Sequence, residues 1–299
     1  MNLYAGLRSD QHPNLDLQGF IMHRHFLTLF FLFSLLLLPL FSPVYADTQA
    51  AVINPGLEKQ LNLADEKCRA AQTASMFKAL KLARTCISSY ESVIEQDPNN
   101  KRALISAIQF HLQAPAVAGG SEKSAKDYLA QLKKIDAEHS QFIWLQFLLA
   151  NNRQPEAIKI AQELAGTNIK HSGTHYFVAR AFRQEKDYST AIAHLEKVQI
   201  FPASSPQEKW FLIDSNLQLG EAFLLSNHPD KAIEKLLIYQ NEMRDPKDMH
   251  YFWGLWSLAK AYKAANDMDN YQKMVKRIKS ENYKENPFFK KEFEAGIKP

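Results

Sequence analysis

The chain has 299 residues, long enough for one or two globular domains, and its 36 Lys or Arg against 32 Asp or Glu give a formal net charge of +4. The positive excess lies at the carboxyl end, where residues 273–299 hold eight Lys or Arg and four Glu, a pattern typical of solvated helix faces. No CxxC, HExxH or GxSxG motif and no glycine-rich phosphate loop occurs, which argues against the enzyme classes that carry them. We therefore predict no catalytic residue, no cofactor and no metal.

The amino-terminal segment has the organisation of an export signal. Residues 1–21 precede a better start at Met22 and are interpreted as an upstream extension of the reading frame. A short basic stretch, the apolar residues 26–41 and the Val-Tyr-Ala of residues 44–46 follow, and together they predict a signal peptide over residues 22–46 and a periplasmic protein. The alternative is an uncleaved inner-membrane anchor, although the apolar run is shorter than the ~20 residues that a spanning helix needs.

After a predicted linker over residues 47–56, apolar residues recur at helical spacing. Leu57, Leu61 and Ala64 indicate one helix, and a second is predicted to end at Asp97. The only two cysteines, Cys68 and Cys86, fall on these successive helices and would lie at similar heights if the turn is near Phe77. In an oxidising compartment this favours a disulfide between them, the alternative being two buried thiols.

The next helices follow the same scheme with one interruption. Residues 101–164 repeat the apolar pattern, but residues 114–121 contain a proline and a pair of glycines, which predict a loop between two helices. Farther along, residues 174–202 form the clearest helix–turn–helix unit. Its first helix carries Val178, Ala179 and Phe182 on one face, and its second carries Tyr188, Ala191, Leu195 and Val198.

Two further units continue the pattern. In one, the first helix carries Leu219, Gly220 and Phe223, and a turn leads to a second helix with Ala232. In the last, Tyr271 stands where the other units have a small residue, so we expect its second helix to sit farther out. Asn286 and Pro287 predict the start of a capping helix, and three phenylalanines are available to cover the last hairpin, namely Phe288, Phe289 and Phe293.

The spacing of small residues such as Ala179 and Ala191 resembles the tetratricopeptide repeat family, whose unit is about 34 residues long. The resemblance covers most of the chain after residue 55. It implies an all-α, right-handed superhelical solenoid of stacked antiparallel helix hairpins over residues 57–280, with residues 281–299 as a capping helix and tail. It also implies binding without catalysis.

In this family the first helix of each unit faces the inside of the superhelix, where ligand peptides lie. Carried over position by position, the resemblance predicts exposed stripes on three first helices, the middle one formed by Leu217, Glu221 and Leu224. The predicted binding groove consists of Tyr176, Arg180, Arg183, Glu221, Trp253, Trp256, Lys260 and Lys263. In the alternative interpretation the two tryptophans pack against the capping helix and Arg180 pairs with Glu221.

The resulting hypothesis is an exported, non-catalytic scaffold that holds a protein or peptide during envelope assembly, secretion or transport. Aromatic platforms and four cations suit an acidic segment or a free carboxylate. The partner is not expected to be nucleic acid, and a membrane is expected only if the signal segment is uncleaved. The alternative function is a small-ligand-binding accessory protein of a transport system. His171 and His175 are four residues apart, but the nearby Gly173 opposes a rigid metal site.

Overall fold

The computed structural model describes residues 54–245, 248 and 250–298, so the predicted signal peptide, the upstream extension and nearly all of the linker lie outside the described residues. Within the described residues there are thirteen α-helices, two short 3₁₀ turns and no strand, which confirms the all-α fold class. In chain order the helices are α1 (Pro55–Thr73), α2 (Met76–Gln96), α3 (Lys101–Gln113), α4 (Glu122–Ile135), α5 (Ala137–Ala150), α6 (Gln154–Ala165), α7 (Ser172–Gln184), α8 (Tyr188–Val198), α9 (Pro206–Leu225), α10 (Pro229–Glu242), α11 (Tyr251–Ala264), α12 (Met268–Ser280) and α13 (Pro287–Gly296).

The chain divides into two compact units, Met1–Glu156 and Ala157–Pro299, with the boundary inside α6. In the first unit α1 packs against α2 and α3 against α4, and α2 also contacts α3. None of the helices in the described part of the chain combines the length and the apolar character that crossing a membrane requires.

Local sequence signals set where several helices begin. The side chain of Asn54 accepts a hydrogen bond from Gly56 N, and Pro55 occupies the first position of α1. Ser205 and Glu208 form a reciprocal capping box at the start of α9. These contacts satisfy backbone N–H groups that have no partner within the helix, so the turn residues determine the lengths of the hairpins.

In the first hairpin a disulfide joins Cys68 of α1 to Cys86 of α2, with the two Cα atoms 5.4 Å apart. The residues after α3 form a loop with a single 3₁₀ turn, Ala116–Ala118, as the proline and glycines predict. Gly119 in this loop has φ +104°, a left-handed conformation that favours glycine. The carbonyl oxygen of Gly119 lies 3.2 Å from Nδ1 of the buried His111, which ties the loop to α3.

A half-buried carboxylate connects three helices of the first unit. Asp65 of α1 accepts a hydrogen bond from the Tyr90 hydroxyl of α2 at 2.5 Å and from Arg102 Nη2 of α3 at 2.6 Å. Arg102 also reaches Glu58 at 2.5 Å. Burial, together with the neighbouring Asp65, raises the pKa of Tyr90 above its ordinary value. These polar contacts therefore join α1, α2 and α3 in addition to their apolar packing.

In the second unit α7 pairs with α8, α9 with α10 and α11 with α12. Each second helix contacts the next first helix, and the first helices α7, α9 and α11 also contact one another in that order, so they lie side by side. The small residues Ala179 and Ala191 are fully buried, and Gly220 lies directly against Leu236 of α10. The predicted close crossing is therefore present in the α7–α8 and α9–α10 hairpins.

The last hairpin is covered by α13. Phe289 and Phe293 are fully buried, whereas Phe288 is 80% exposed. The expectation that Phe288 helps to cover the hairpin is wrong, because Phe289 and Phe293 are four residues apart and share one helix face, and Phe288 lies beside that face. As expected for a helix that sits farther out, α12 has one buried side chain, Ile278, and Tyr271 is only half-buried.

Candidate functional site

The candidate site is the surface that α7, α9 and α11 share in the second unit, here called the first-helix face. It consists of Tyr176, Arg180 and Arg183 on α7, Asp214, Gln218 and Glu221 on α9, and Ser257 on α11. The spacing of four and then three residues on both α7 and α9 places each set of three on one side of its helix.

The tyrosine at one end of the first-helix face is part of the packed interior. The Tyr176 hydroxyl donates to Oδ2 of Asp214 at 2.5 Å, and the Gln218 amide donates to the same oxygen at 3.0 Å. The Tyr176 ring stacks on Phe211, with centroids 5.0 Å apart, and meets Trp210 edge to face. Tyr176 is therefore a buried connection between α7 and α9, with little surface left for a ligand.

Arg180 is buried among aromatic rings. Its guanidinium carbon lies 5.8 Å from the centroid of Tyr176 and 5.5 Å from that of Phe177. An arginine held against aromatic faces in this way gains from its cation–π contacts and presents little charge to solvent. Arg180 therefore shapes the face but adds little to its surface charge.

Glu221 connects all three first helices. Its Oε2 accepts from Nη1 of Arg183 on α7 at 3.2 Å, and its Oε1 accepts from the Ser257 hydroxyl on α11 at 2.9 Å. Both side chains of the ion pair are about four-fifths buried. Arg183 thus makes an ion pair with Glu221, and the pairing of Arg180 with Glu221 in the alternative interpretation stays a prediction. One polar network, most of it buried, therefore joins the three helices.

Nε of Arg183, a donor, and Oε1 of Gln218, an acceptor, belong to the first-helix face. Both atoms are buried and have no hydrogen-bond partner among the described residues. A buried polar group without a partner is costly, so such atoms favour a ligand that can pair with them. A peptide backbone supplies both an acceptor and a donor.

The two tryptophans of the predicted groove contact the capping helix. Trp253 meets Phe289 edge to face at 5.2 Å between ring centroids, and Trp256 meets Phe293 in the same way at 5.2 Å. Lys260 lies 5.9 Å from the centroid of Trp256 and 3.7 Å from a carboxylate oxygen of Glu292 on α13. The structure thus brings Trp256 and Lys260 together beside α13.

Lys263, the last predicted groove residue, lies over the ring of Tyr271 on α12, with its Nζ 5.6 Å from the centroid. The structure places it at the pairing of α11 with α12, away from the contacts that join α7, α9 and α11. Of the eight predicted residues, Tyr176, Arg180, Arg183 and Glu221 belong to the first-helix face. The binding role of all eight stays a prediction.

A pair of buried histidines lies behind this face, between α7 and α8. Nδ1 of His175 is 2.9 Å from Nδ1 of His194, and both residues are at least nine-tenths buried. Burial lowers the pKa of each imidazole to about 4, with smaller contributions from Lys197 to both and from His194 to His175. Near neutral pH both rings are uncharged, so one can donate the hydrogen bond that the other accepts.

Sequence reasoning missed three residues of the first-helix face: Asp214, Gln218 and Ser257. It used Leu217 and Leu224 for the exposed stripe of α9, but Leu217 is fully buried. The two side-chain hydrogen bonds from α7 to α9 each join residues 38 positions apart. This offset between the helices decides which residues of α9 meet α7, and helical spacing within α9 does not reveal it. The available signal was the spacing of Asp214, Gln218 and Glu221, which are four and three residues apart and therefore share one side of α9.

Comparisons with known proteins are consistent with this architecture. No protein-family model matches the chain. Cellulose synthase operon protein C of Escherichia coli strain K12 is 30% identical over 162 residues, as is its counterpart in strain O157:H7, and the match takes in 51% of this chain. The chain spans only 14% of the length of these relatives.

Among solved structures, the crystal structure of PilW, a widely conserved type IV pilus biogenesis factor, superimposes with a TM-score of 0.54 at 15% identity, covering 80% of this chain and 99% of that one. A kinesin light chain of Podosopora anserina with TPR-like repeats gives a TM-score of 0.39 at 16% identity, over 75% of this chain and 93% of that one. The likeness to PilW concerns the fold.

Proposed function

We propose that this chain, which has the tetratricopeptide-repeat fold, is a non-catalytic scaffold that holds a segment of a protein partner on its first-helix face. The observation that carries the proposal is the position of Glu221, which contacts α7 and α11 at once and makes three helices one surface. Repeat proteins of this kind bind partners on such surfaces, since each repeat adds a strip of the same face.

The free donor and acceptor on this face suggest how the partner is recognised. The buried Arg183 Nε and Gln218 Oε1 suit the carbonyl and amide groups of an extended backbone. An acidic side chain of the partner could pair with Arg183 only by competing with Glu221. We therefore propose that backbone contacts dominate and that Lys260, which is partly exposed, receives any carboxylate.

We further propose that the protein works in the bacterial envelope, during assembly, secretion or transport. The predicted signal peptide over residues 22–46 and the disulfide between Cys68 and Cys86 support an oxidising, exported location. The similar proteins, a type IV pilus biogenesis factor and a cellulose synthase operon protein, have names that support an envelope process.

The test is a charge swap that separates structure from recognition. Arg183→Glu alone should weaken both folding and partner capture, because it places two carboxylates side by side. The double variant Arg183→Glu/Glu221→Arg can restore the ion pair and hence stability, yet it should not restore capture. Capture is measured with a photo-reactive residue at Lys260 in native envelopes, followed by mass spectrometry of the adduct.

The matched control is the swap Glu234→Lys/Lys235→Glu on α10, which reverses an ion pair 3.2 Å apart outside the first-helix face and should leave capture unchanged. A second control moves the photo-reactive residue to Lys231 on α10, where no polypeptide adduct is expected. Full capture by the Arg183/Glu221 swap, or equal adducts from both probe positions, would contradict the assignment of this face.

A further inference from the structure

One face of α2, in the first unit, is both apolar and positively charged. Phe77 is 81% exposed and Met76 is 55% exposed, although both are large apolar side chains. Val117, in the loop after α3, is 53% exposed. Single exposed apolar residues are ordinary, but three in neighbouring segments suggest an interaction surface.

Three cations accompany these side chains. Lys78, Lys81 and Arg84 are all exposed, and residues 76–90 contain no Asp or Glu. None of the three forms an ion pair with another residue in the described part of the chain. Their positive charge is therefore available to a partner.

A hydrogen bond brings the loop and the helix together. Nη2 of Arg84 donates to the carbonyl oxygen of Val117 at 2.9 Å, which places Val117 beside the charged face of α2. Phe77, Lys81 and Arg84 are four and three residues apart and share that face. We call this surface the α2 patch; it consists of Met76, Phe77, Lys78, Leu80, Lys81, Arg84 and Val117.

The α2 patch surrounds a shallow depression of about 470 Å³. The residues that line it are Phe77, Leu80, Lys81, Arg84, Thr85 and Ser88. Its apolar end is formed by Phe77 and Leu80, and its other end by a guanidinium and two hydroxyl groups. The depression thus offers separate places for a hydrocarbon and for an anion.

We propose that the α2 patch docks on the surface of membranes that contain anionic phospholipids. Cations on a helix attract the phosphate groups of such lipids, and the neighbouring aromatic and aliphatic side chains enter the boundary of the acyl region. An acidic protein segment would also pair with the cations. The lipid surface fits better because Met76, Phe77 and Val117 project into solvent from two separate segments instead of lining a closed groove.

The test uses the full chain with Phe77→Trp and vesicles of brominated phosphatidylcholine, with or without phosphatidylglycerol. Bromine quenches a tryptophan only when the ring reaches the acyl chains, so the added fluorescence should be quenched when phosphatidylglycerol is present and not otherwise. Because the readout is local to position 77, binding through the apolar residues 26–41 does not mimic it.

The matched control is Phe288→Trp, since Phe288 is 80% exposed but lies on α13. Its added fluorescence should not be quenched. In the background of Lys78→Glu/Lys81→Glu/Arg84→Glu, quenching at position 77 should require about 100-fold more anionic lipid, as each cation near the surface strengthens binding severalfold. Circular dichroism verifies that this exposed triple variant stays folded.

Three results would overturn the proposal. The first is quenching at position 77 that is independent of phosphatidylglycerol, and the second is quenching at position 288 but not at position 77. The third is charge-dependent binding of the α2 patch to polyglutamate without any to vesicles, which would assign the patch to an acidic protein segment.

Discussion

Glu221 illustrates what a single residue contributes in this protein. A hydrogen bond to a charged group is worth roughly 1.5–3 kcal/mol, and Glu221 accepts two, from residues on two different helices. The sequence placed Glu221 and Arg183 in one predicted groove, and only its alternative interpretation paired the glutamate with Arg180. Helical spacing shows which residues share a face, whereas the partner of a side chain depends on how neighbouring helices are offset.

The histidine pair predicts a pH dependence of stability. Burial lowers the pKa of His175 and of His194 to about 4 in the folded protein, against about 6.5 in an unfolded chain. Between these values the unfolded state binds more protons than the folded state, so the free energy of unfolding falls as the pH falls from about 6.5 to about 4. We expect a loss on the order of 5 kcal/mol at pH 4.5 relative to neutral pH, about half of it from each histidine, measured by urea unfolding across this range.

The double variant His175→Phe/His194→Phe checks the origin of this effect. It keeps rings of similar size next to Phe182 and removes both titrating groups, so its stability should vary less over the same range. His228→Gln, at an exposed position, serves as the control and should follow the wild type. Equal slopes for the wild type and the double variant would show that other groups cause the acid sensitivity.

At the scale of elements, most helices could be predicted because their apolar residues recur at helical spacing and their ends carry recognisable signals. The turn after α1 falls at Ala74 and Ser75, close to the predicted position near Phe77. Surfaces were harder to predict than cores. The tryptophans of α11 look available in a helical projection, yet α13 contacts both, as the alternative interpretation held. Helical spacing within α11 could not decide between the two interpretations, because the contact is long-range.

The close crossing of α9 and α10 predicts that a single added methyl group is harmful. A Cβ atom on Gly220 would lie 2.4 Å from Cγ of Leu236, a fully buried side chain. Gly220→Ala should therefore lower the free energy of unfolding by about 1–3 kcal/mol, even though alanine favours helix formation by about 1 kcal/mol.

Gly166→Ala is the matched control, because its Cβ would meet no atom closer than 3.5 Å. Its effect should stay within about 0.5 kcal/mol in the same chemical unfolding experiment. A neutral or stabilising Gly220→Ala would mean that α9 and α10 can separate without cost, which their packing does not suggest.

At the scale of the whole molecule, a repeat architecture has no single core, so each unit depends on contacts between successive hairpins and on closure of its ends. In the second unit α13 provides that closure through two phenylalanines that pack on Tyr251, Phe252, Leu255 and Trp256. The capping role of α13 could be predicted from Asn286 and Pro287. The exposure of Phe288 could have been predicted as well, because Phe289 and Phe293 are four residues apart and share one helix face, but the expectation treated the three phenylalanines alike.

The orientation of α13 predicts that Phe293 and Phe288 differ greatly in their contribution to the free energy of unfolding. Phe293→Ala should lower the free energy of unfolding by about 3–5 kcal/mol, because it removes a fully buried ring from the contact with Trp256. Phe288→Ala should change it by less than about 0.5 kcal/mol. Tryptophan fluorescence during urea unfolding reports both, and similar losses for the two variants would contradict the described orientation of α13.

The disulfide has a consequence for the order of events during biogenesis. The disulfide closes a loop of only 18 residues within the first hairpin. If the chain is exported with its amino end first, as proposed, both thiols reach the new compartment before most of the repeats. Oxidation can then proceed without any later hairpin as a template. A reductant present at that stage would break the disulfide in the first hairpin before the later hairpins have followed it.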